Sequence, residues 1–225
     1  MEYSIYDLLK LFGSLALFLY GMKIMSEGLQ KLAGDKMRRI LTAMTTNRVT
    51  GVLTGVLITA LIQSSSATTV MVVSFVNAGL LTLAQSIGVI MGANIGTTVT
   101  AWIISALGFK VDIAAFALPL LTVGVVMLFM QKSKYKSLGE FIMGFCFLFM
   151  GLSYLKANAP DLQNNPEMLA FVQDYANMGF MSILLFVLIG TVLTMIVQAS
   201  AATMAITLIM CANGWISFEL GAARV

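Results

Sequence analysis

The sequence predicts an all-α fold: a polytopic transmembrane helical protein with inverted repeats and re-entrant helical hairpins. Three observations predict it. Hydrophobic residues fill 59% of the 225 positions and charged residues only 10%, whereas soluble domains run at roughly 45–50% apolar and 25% charged. No Asp, Glu, Lys or Arg lies between positions 49 and 109, a run of 61 residues. As one helix that run would be roughly 90 Å long, about three bilayer cores, so it must fold back on itself. Finally, the run is partly repeated later in the chain.

The elements follow in order. MEYSIYD at the N-terminus carries two acids and no base, unlike a secretory leader, so the first apolar segment reads as a permanent span. That segment, 11–22, is flanked by Lys10 and Lys23, which can snorkel to the interfaces. Residues 25–48 are polar and basic and read as a connector. Within the neutral run, 49–62 is too short to cross comfortably and 67–83 is marginal. Residues 86–109 are long enough, but Gly92, Gly96 and the polar Asn94-Ile95-Gly96-Thr97-Thr98 should interrupt them. Residues 113–130 form a clean span. Lys132, Lys134 and Lys136 suggest a basic loop, 141–155 the next span, and the stretch holding Pro160 and Pro166 a polar loop. Residues 175–218 are a second uncharged run of 44 residues. Gly51 and Gly55, spaced as GxxxG, fit close helix packing.

The second run repeats the first at a shift of 135 residues. Between 52–79 and 187–214, nine of 28 positions are identical, including Gly55/Gly190, Thr59/Thr194, Gln63/Gln198, Ser65/Ser200, Thr68/Thr203 and Gly79/Gly214. Upstream, LFLYGM at 17–22 pairs with FLFMGL at 147–152 at a shift of 130. The chain thus divides into a first transmembrane repeat (1–130), a basic linker (131–138) and a second, incomplete repeat (139–225). The connectors suggest inversion. Segment 26–48 carries five bases and two acids, net +3, whereas 156–179 carries one base and three acids, net −2. Basic loops favour the cytoplasm, so the two should face opposite sides. Inverted repeats with short or interrupted helices in matching places characterise transporters, with the site near the bilayer midplane.

The chemistry concentrates in QSSSATT, residues 63–69. A polar group in hydrocarbon without a partner costs several kcal/mol. With no histidine in the chain and no lysine between Lys36 and Lys110, the serines have no base to activate them, so catalysis is not expected. Cys146 and Cys211 read as packed thiols and cannot make a four-ligand metal site alone. The net charge of +3 gives no reason to expect a nucleic-acid partner. Half-helix N-termini with hydroxyl and amide donors can hold an oxyanion without any base. Hydroxyl oxygens and carbonyls can hold Na⁺, whose charge would offset the anion. Phosphate, sulfate and carboxylate all fit this logic.

QSSSATT, followed by GVIMGANIGTT and a second Gln-x-Ser stretch, resembles the sodium-phosphate cotransporter family, the type II carriers and their bacterial relatives. The resemblance covers roughly residues 11–218. Its second motif, QASAAT, has Ala199 and Ala201 where serines are expected. The resemblance implies a secondary transporter that moves inorganic phosphate with Na⁺ by alternating access, in a cell membrane such as the bacterial inner membrane, as a multi-pass protein. The alternatives are a passive anion channel or a Na⁺-coupled carrier of another small anion. The implied substrate- and ion-binding residues are Gln63, Ser64, Ser65, Ser66, Thr68, Asn94, Thr97, Thr98, Gln198, Ser200 and Thr203. Na⁺ would be shared with Gln63, Ser65, Asn94, Gln198 and Ser200. It is the coupling ion, and no cofactor is expected. Partners are phosphate, Na⁺ and the lipid bilayer, with room for a homo-oligomer. At the 135-residue shift the partner of Asn94 would fall at 229, so the sequence also suggests a longer parent chain carrying a second Asn-Ile-Gly-Thr-Thr-like motif.

Overall fold

The structure, a computed structural model, describes residues 5–45, 47–108, 113–159, 179–197 and 200–224. Among these residues there are nine helices and no strand. They are α1 (Ile5–Met44), α2 (Arg48–Ile62), α3 (Ser65–Asn77), α4 (Leu83–Gly108), α5 (Ile113–Leu128), α6 (Ser133–Ala157), α7 (Phe180–Val197), α8 (Ser200–Ala212) and α9 (Phe218–Arg224). Three stretches, Ile5–Ala33, Leu83–Ala106 and Ser133–Ala157, are long and apolar enough to cross a membrane. The chain forms two compact units, one of residues 20–151 and one of residues 1–19 with 152–225.

In the unit of residues 20–151, backbone spacing decides which residues can sit between helices. A Cβ on Gly21 would strike the backbone of Leu148, one on Gly144 that of Met25, and one on Gly28 that of Phe141. Each contact moves forward along α1 and backward along α6, so the two helices cross antiparallel, with glycines admitting one backbone to the other. α1 and α6 are also the elements that the 130-residue shift equates. The two copies of this helix therefore run in opposite directions. The burial pattern supports that register: positions 14, 18, 21, 22 and 25 are buried, as are 144, 148, 151, 152 and 155.

α2 and α3 form a helical hairpin. Asn47 starts α2 with a reciprocal cap, its side chain accepting from the Thr50 amide while its own amide donates to the Thr50 hydroxyl. With 15 and 13 residues, the arms are about 22 and 20 Å long, short of the ~30 Å hydrocarbon core. α4 then runs parallel to α2. A Cβ on Gly55 would overlap the Val89 carbonyl, one on Gly92 the Val52 carbonyl, and one on Gly96 the Thr59 side chain. Ile58 and Ile62 of α2, Val72 and Phe75 of α3, and Leu81 and Val89 pack as one core, flanked by Ala33 and Ile40 of α1.

Three expectations change here. Residues 25–44 are not a connecting loop but the second half of α1, a stretch rich in Leu, Met, Lys, Arg and Gln with no proline, all good helix formers. α4 is unbroken through Asn94-Ile95-Gly96-Thr97-Thr98, because Gly92 and Gly96 serve helix contact rather than unwinding. Lys134 and Lys136 lie within α6, not in a loop. The stretch carrying Pro160, Pro166 and the acidic bias of the second connector falls outside the described residues.

The other unit holds α7, α8 and α9, and its hydrogen bonds repeat those of α2 to α4 at the 135-residue shift. Gly79 and Gly214 both adopt φ +71, a left-handed turn that glycine accepts without cost. Their amides donate to Val76 and Cys211, and the next amides, of Leu80 and Trp215, to Phe75 and Met210. The Thr82 hydroxyl caps the Gln85 amide, and the Ser217 hydroxyl caps that of Leu220. The duplication is thus written in backbone geometry, not only in residue identities.

Candidate functional site

The break between α2 and α3 sits at Gln63 and Ser64. Gln63 has φ 58 and ψ 26, the left-handed region, and it is the one described non-glycine residue there. An L side chain in that region costs about 1–2 kcal/mol, so the surroundings must hold it. Its amide donates to the Thr59 carbonyl at 2.7 Å. Its side-chain Nε2 donates to the Ala60 carbonyl at 2.6 Å, and its Oε1 accepts from the Thr100 hydroxyl of α4 at 2.7 Å. The Ile62 carbonyl accepts from the Ser26 hydroxyl of α1 at 2.7 Å, and Gln30 Nε2 donates to Ser26 at 3.0 Å. The carbonyl end of α2 is therefore closed largely by the protein's own donors.

The amide end of α3 is built differently. Ser64 is its N-cap, with the side chain accepting from the Ala67 amide at 3.2 Å. The Ser64 carbonyl accepts from the Thr68 hydroxyl at 3.0 Å. Thr68 in turn accepts from Thr59 Oγ1 at 3.0 Å, fastening α3 to α2 through two side chains that are 0% and 1% exposed. Among the described residues, no hydrogen bond engages the amides or hydroxyls of Ser65 and Ser66. Ser65 is half-buried and Ser66 exposed. The unclosed groups at this break are donors at the positive end of a helix.

The structure thus brings Gln63, Ser64, Ser65, Ser66 and Thr68 together at one hairpin tip. It places Thr97 and Thr98 on α4 with their hydroxyls bonded to the Ala93 and Ile95 carbonyls of their own helix. Asn94 is exposed on α4, roughly half a turn round from the Gly92 and Gly96 face that meets α2. In the other unit, Ser200 opens α8 and is half-buried. Thr203 is 1% exposed, and its hydroxyl pairs with that of Thr194 at 2.9 Å, matching Thr59 and Thr68. Gln198 lies outside the described residues.

Sequence reasoning missed Ser26, Gln30 and Thr100 as partners of the break. Thr100 carried a usable signal, being one more polar residue inside an uncharged run. Ser26 and Gln30 were hidden in a stretch read as connector. Thr59 and Thr194 were visible as a duplicated pair but were not placed at the site. Both cysteines are free thiols, and Cys146 is buried.

Comparison with known proteins adds an independent line. Residues 17–157 match the family model described as Na+/Pi-cotransporter. The chain is 30% identical over 220 residues, 97% of its own length, to the Escherichia coli (strain K12) protein named "Putative inorganic phosphate export protein YjbB". It is 31% identical over 192 residues to YqeW of Bacillus subtilis (84% of this chain), and 41% identical over 97 residues to the rat sodium-dependent phosphate transport protein 2A (41% of this chain). It spans 39% of the length of YjbB, 59% of YqeW and 15% of the rat protein. No solved structure matches the chain significantly.

Proposed function

The chain belongs to the Na⁺/Pi-cotransporter family, and on that premise we propose that it carries inorganic phosphate across a cell membrane together with Na⁺, as part of a multi-pass secondary transporter. It is a membrane protein of a transporter family and not an enzyme. The observation that carries the finer reading is the asymmetry of the first break. The carbonyl end of α2 is capped by Gln63, Ser26 and the Gln63 amide. The amide end of α3 offers the unengaged donors of Ser65 and Ser66. Such an end suits an anion, through oriented N–H groups and the helix dipole, with serine hydroxyls as further donors. Gln63 keeps one N–H and one lone pair beyond the bonds it already makes, enough to touch a ligand without releasing the hairpin.

Na⁺ binds close by in this account, to oxygens of the first break, of which the Gln63 amide and the Ser65 hydroxyl are the candidates. Its charge offsets that of phosphate, so each species raises the affinity for the other. The opposed directions of α1 and α6 support inverted repeats, and hence alternating access about a site held between short helices. The direction of phosphate movement then follows the Na⁺ gradient.

Thiol labelling of the full-length gene product tests the site. With Cys146 and Cys211 replaced by alanine, Ser66→Cys should react with a maleimide reagent. Phosphate plus Na⁺ should slow that reaction, whereas phosphate with K⁺ should do so less. A labelling rate that phosphate leaves unchanged in both salts would remove the anion from this break.

A further inference from the structure

The last charge before the long uncharged run stands at the mouth of a groove. α2 and α4 run parallel, so their N-terminal ends lie side by side, and there they leave a half-open groove of about 500 Å³. At its head are Arg48, the first residue of α2, and Ala84, near the start of α4. Gly88 lies at its base, buried and close against the Arg48 carbonyl. Val49 and Val52 line one side, and Ile87 and Met91 the other. From Ala84 to Met91 the groove runs about 10 Å along the helix. Arg48, Val49, Ile87 and Met91 are all exposed. No acidic side chain lines the groove, and among the described residues no carboxylate pairs with Arg48.

We propose that this groove binds one anionic phospholipid, its headgroup phosphate on Arg48 and the upper part of an acyl chain along Val49, Val52, Ile87 and Met91. The proposal does not depend on what the protein transports. Position is the first argument. An arginine directly before 61 uncharged residues belongs at the bilayer surface, and the groove descends from it into hydrocarbon. A water-soluble anion would meet the guanidinium but gain nothing from the apolar walls. Charge is the second argument. The planar guanidinium fork matches a phosphate in two-point contact. A zwitterionic headgroup would bring an ammonium beside Arg48, with no carboxylate in the groove to receive it. The third argument is the basic connector of residues 26–48, of which Arg48 is the last base. Basic segments next to a span draw the anionic lipids of the cytoplasmic leaflet.

Photocrosslinking of the full-length gene product in liposomes tests it. The probes are phosphatidylglycerol and phosphatidylethanolamine carrying the same diazirine-bearing acyl chain, each added in trace amount, with crosslinked peptides located by mass spectrometry. At Ile87 and Met91 phosphatidylglycerol should crosslink about fivefold more than phosphatidylethanolamine, the preference expected of one arginine near the membrane surface. The exposed Phe116 and Leu118 of α5 should take both lipids equally. Arg48→Gln should abolish the preference, and Arg48→Lys should keep most of it. In the unsubstituted protein the preference should also weaken as salt is raised. Equal crosslinking of the two lipids at the groove, or the same preference on α5, would reduce the groove to ordinary lipid contact and overturn the proposal. A preference that survives in Arg48→Gln would overturn the role of the guanidinium. Loss of the preference on adding millimolar inorganic phosphate at constant ionic strength would make Arg48 a site for the free anion instead. No crosslink in the groove from either lipid would mean that protein covers it, whether the rest of the parent chain or a second copy, and would overturn the proposal too.

Discussion

Replacing Gln63 separates backbone strain from side-chain bonding and from transport. In Gln63→Ala, the Ala60 carbonyl and the Thr100 hydroxyl both lose their partner. A buried polar group left unsatisfied costs about 1–3 kcal/mol. Thr100, 4% exposed, can recover part of this by turning back to a carbonyl of its own helix. The net loss is then about 2–4 kcal/mol, and alanine remains in the left-handed region at φ 58. Gln63→Gly loses the same two bonds but relieves the strain, worth about 1 kcal/mol or slightly more. At about 2–4 °C per kcal/mol for a chain of 150–250 residues, the alanine variant should melt roughly 4–16 °C below the parent. The glycine variant should recover about 2–4 °C of that. Thermal unfolding in detergent, followed by intrinsic fluorescence, gives the order parent, glycine, alanine. Both variants should have lost phosphate transport. An alanine variant as stable as the parent would refute the bonding account. One at least as stable as the glycine variant would refute the strain, and near-normal transport in both would make Gln63 structural only.

Other consequences can be checked in parallel. Thr68→Val should cost about 1–3 kcal/mol by orphaning the Thr59 hydroxyl and the Ser64 carbonyl, and adding Thr59→Val should restore part of it because an apolar pair replaces both partners; strictly additive losses would contradict the pairing. Gly92→Leu should prevent folding, since even a Cβ overlaps the Val52 carbonyl, whereas Gly13→Leu, with nothing near its Cβ, should fold; equal yields would refute the close contact. Single cysteines in place of Lys31 and Asp161 should label from opposite sides of the membrane, with Lys31 cytoplasmic, and labelling from one side would refute inversion.

How much of this was readable in the sequence depended on whether a residue's role was local. The break at Gln63 and Ser64 was readable because six polar residues interrupt an apolar run, and N-capping by serine is a local preference. The turn at Gly79 was readable because its copy at Gly214 survives in a region of otherwise loose identity. Roles fixed by distant contacts were not. Gly92 and Gly96 looked like helix breakers next to Asn94, yet the identity of the packed neighbour decides whether glycine bends a helix or docks one. The second half of α1 looked like a loop because charge suggested solvent, although its residues favour helix and its Ser26 reaches Ile62 across 36 positions. Thr100 meets Gln63 across 37 positions, a pairing that no spacing rule encodes.

The central claim is that this family member moves phosphate by coupling it to Na⁺. Its most direct test is radiolabelled phosphate uptake by the full-length gene product in proteoliposomes, under an inward Na⁺ gradient or an equal K⁺ gradient. The account predicts saturable accumulation above the external concentration with Na⁺, and none with K⁺. Uptake that is the same in both salts and stops at equilibration would contradict coupling and identify a passive anion pathway.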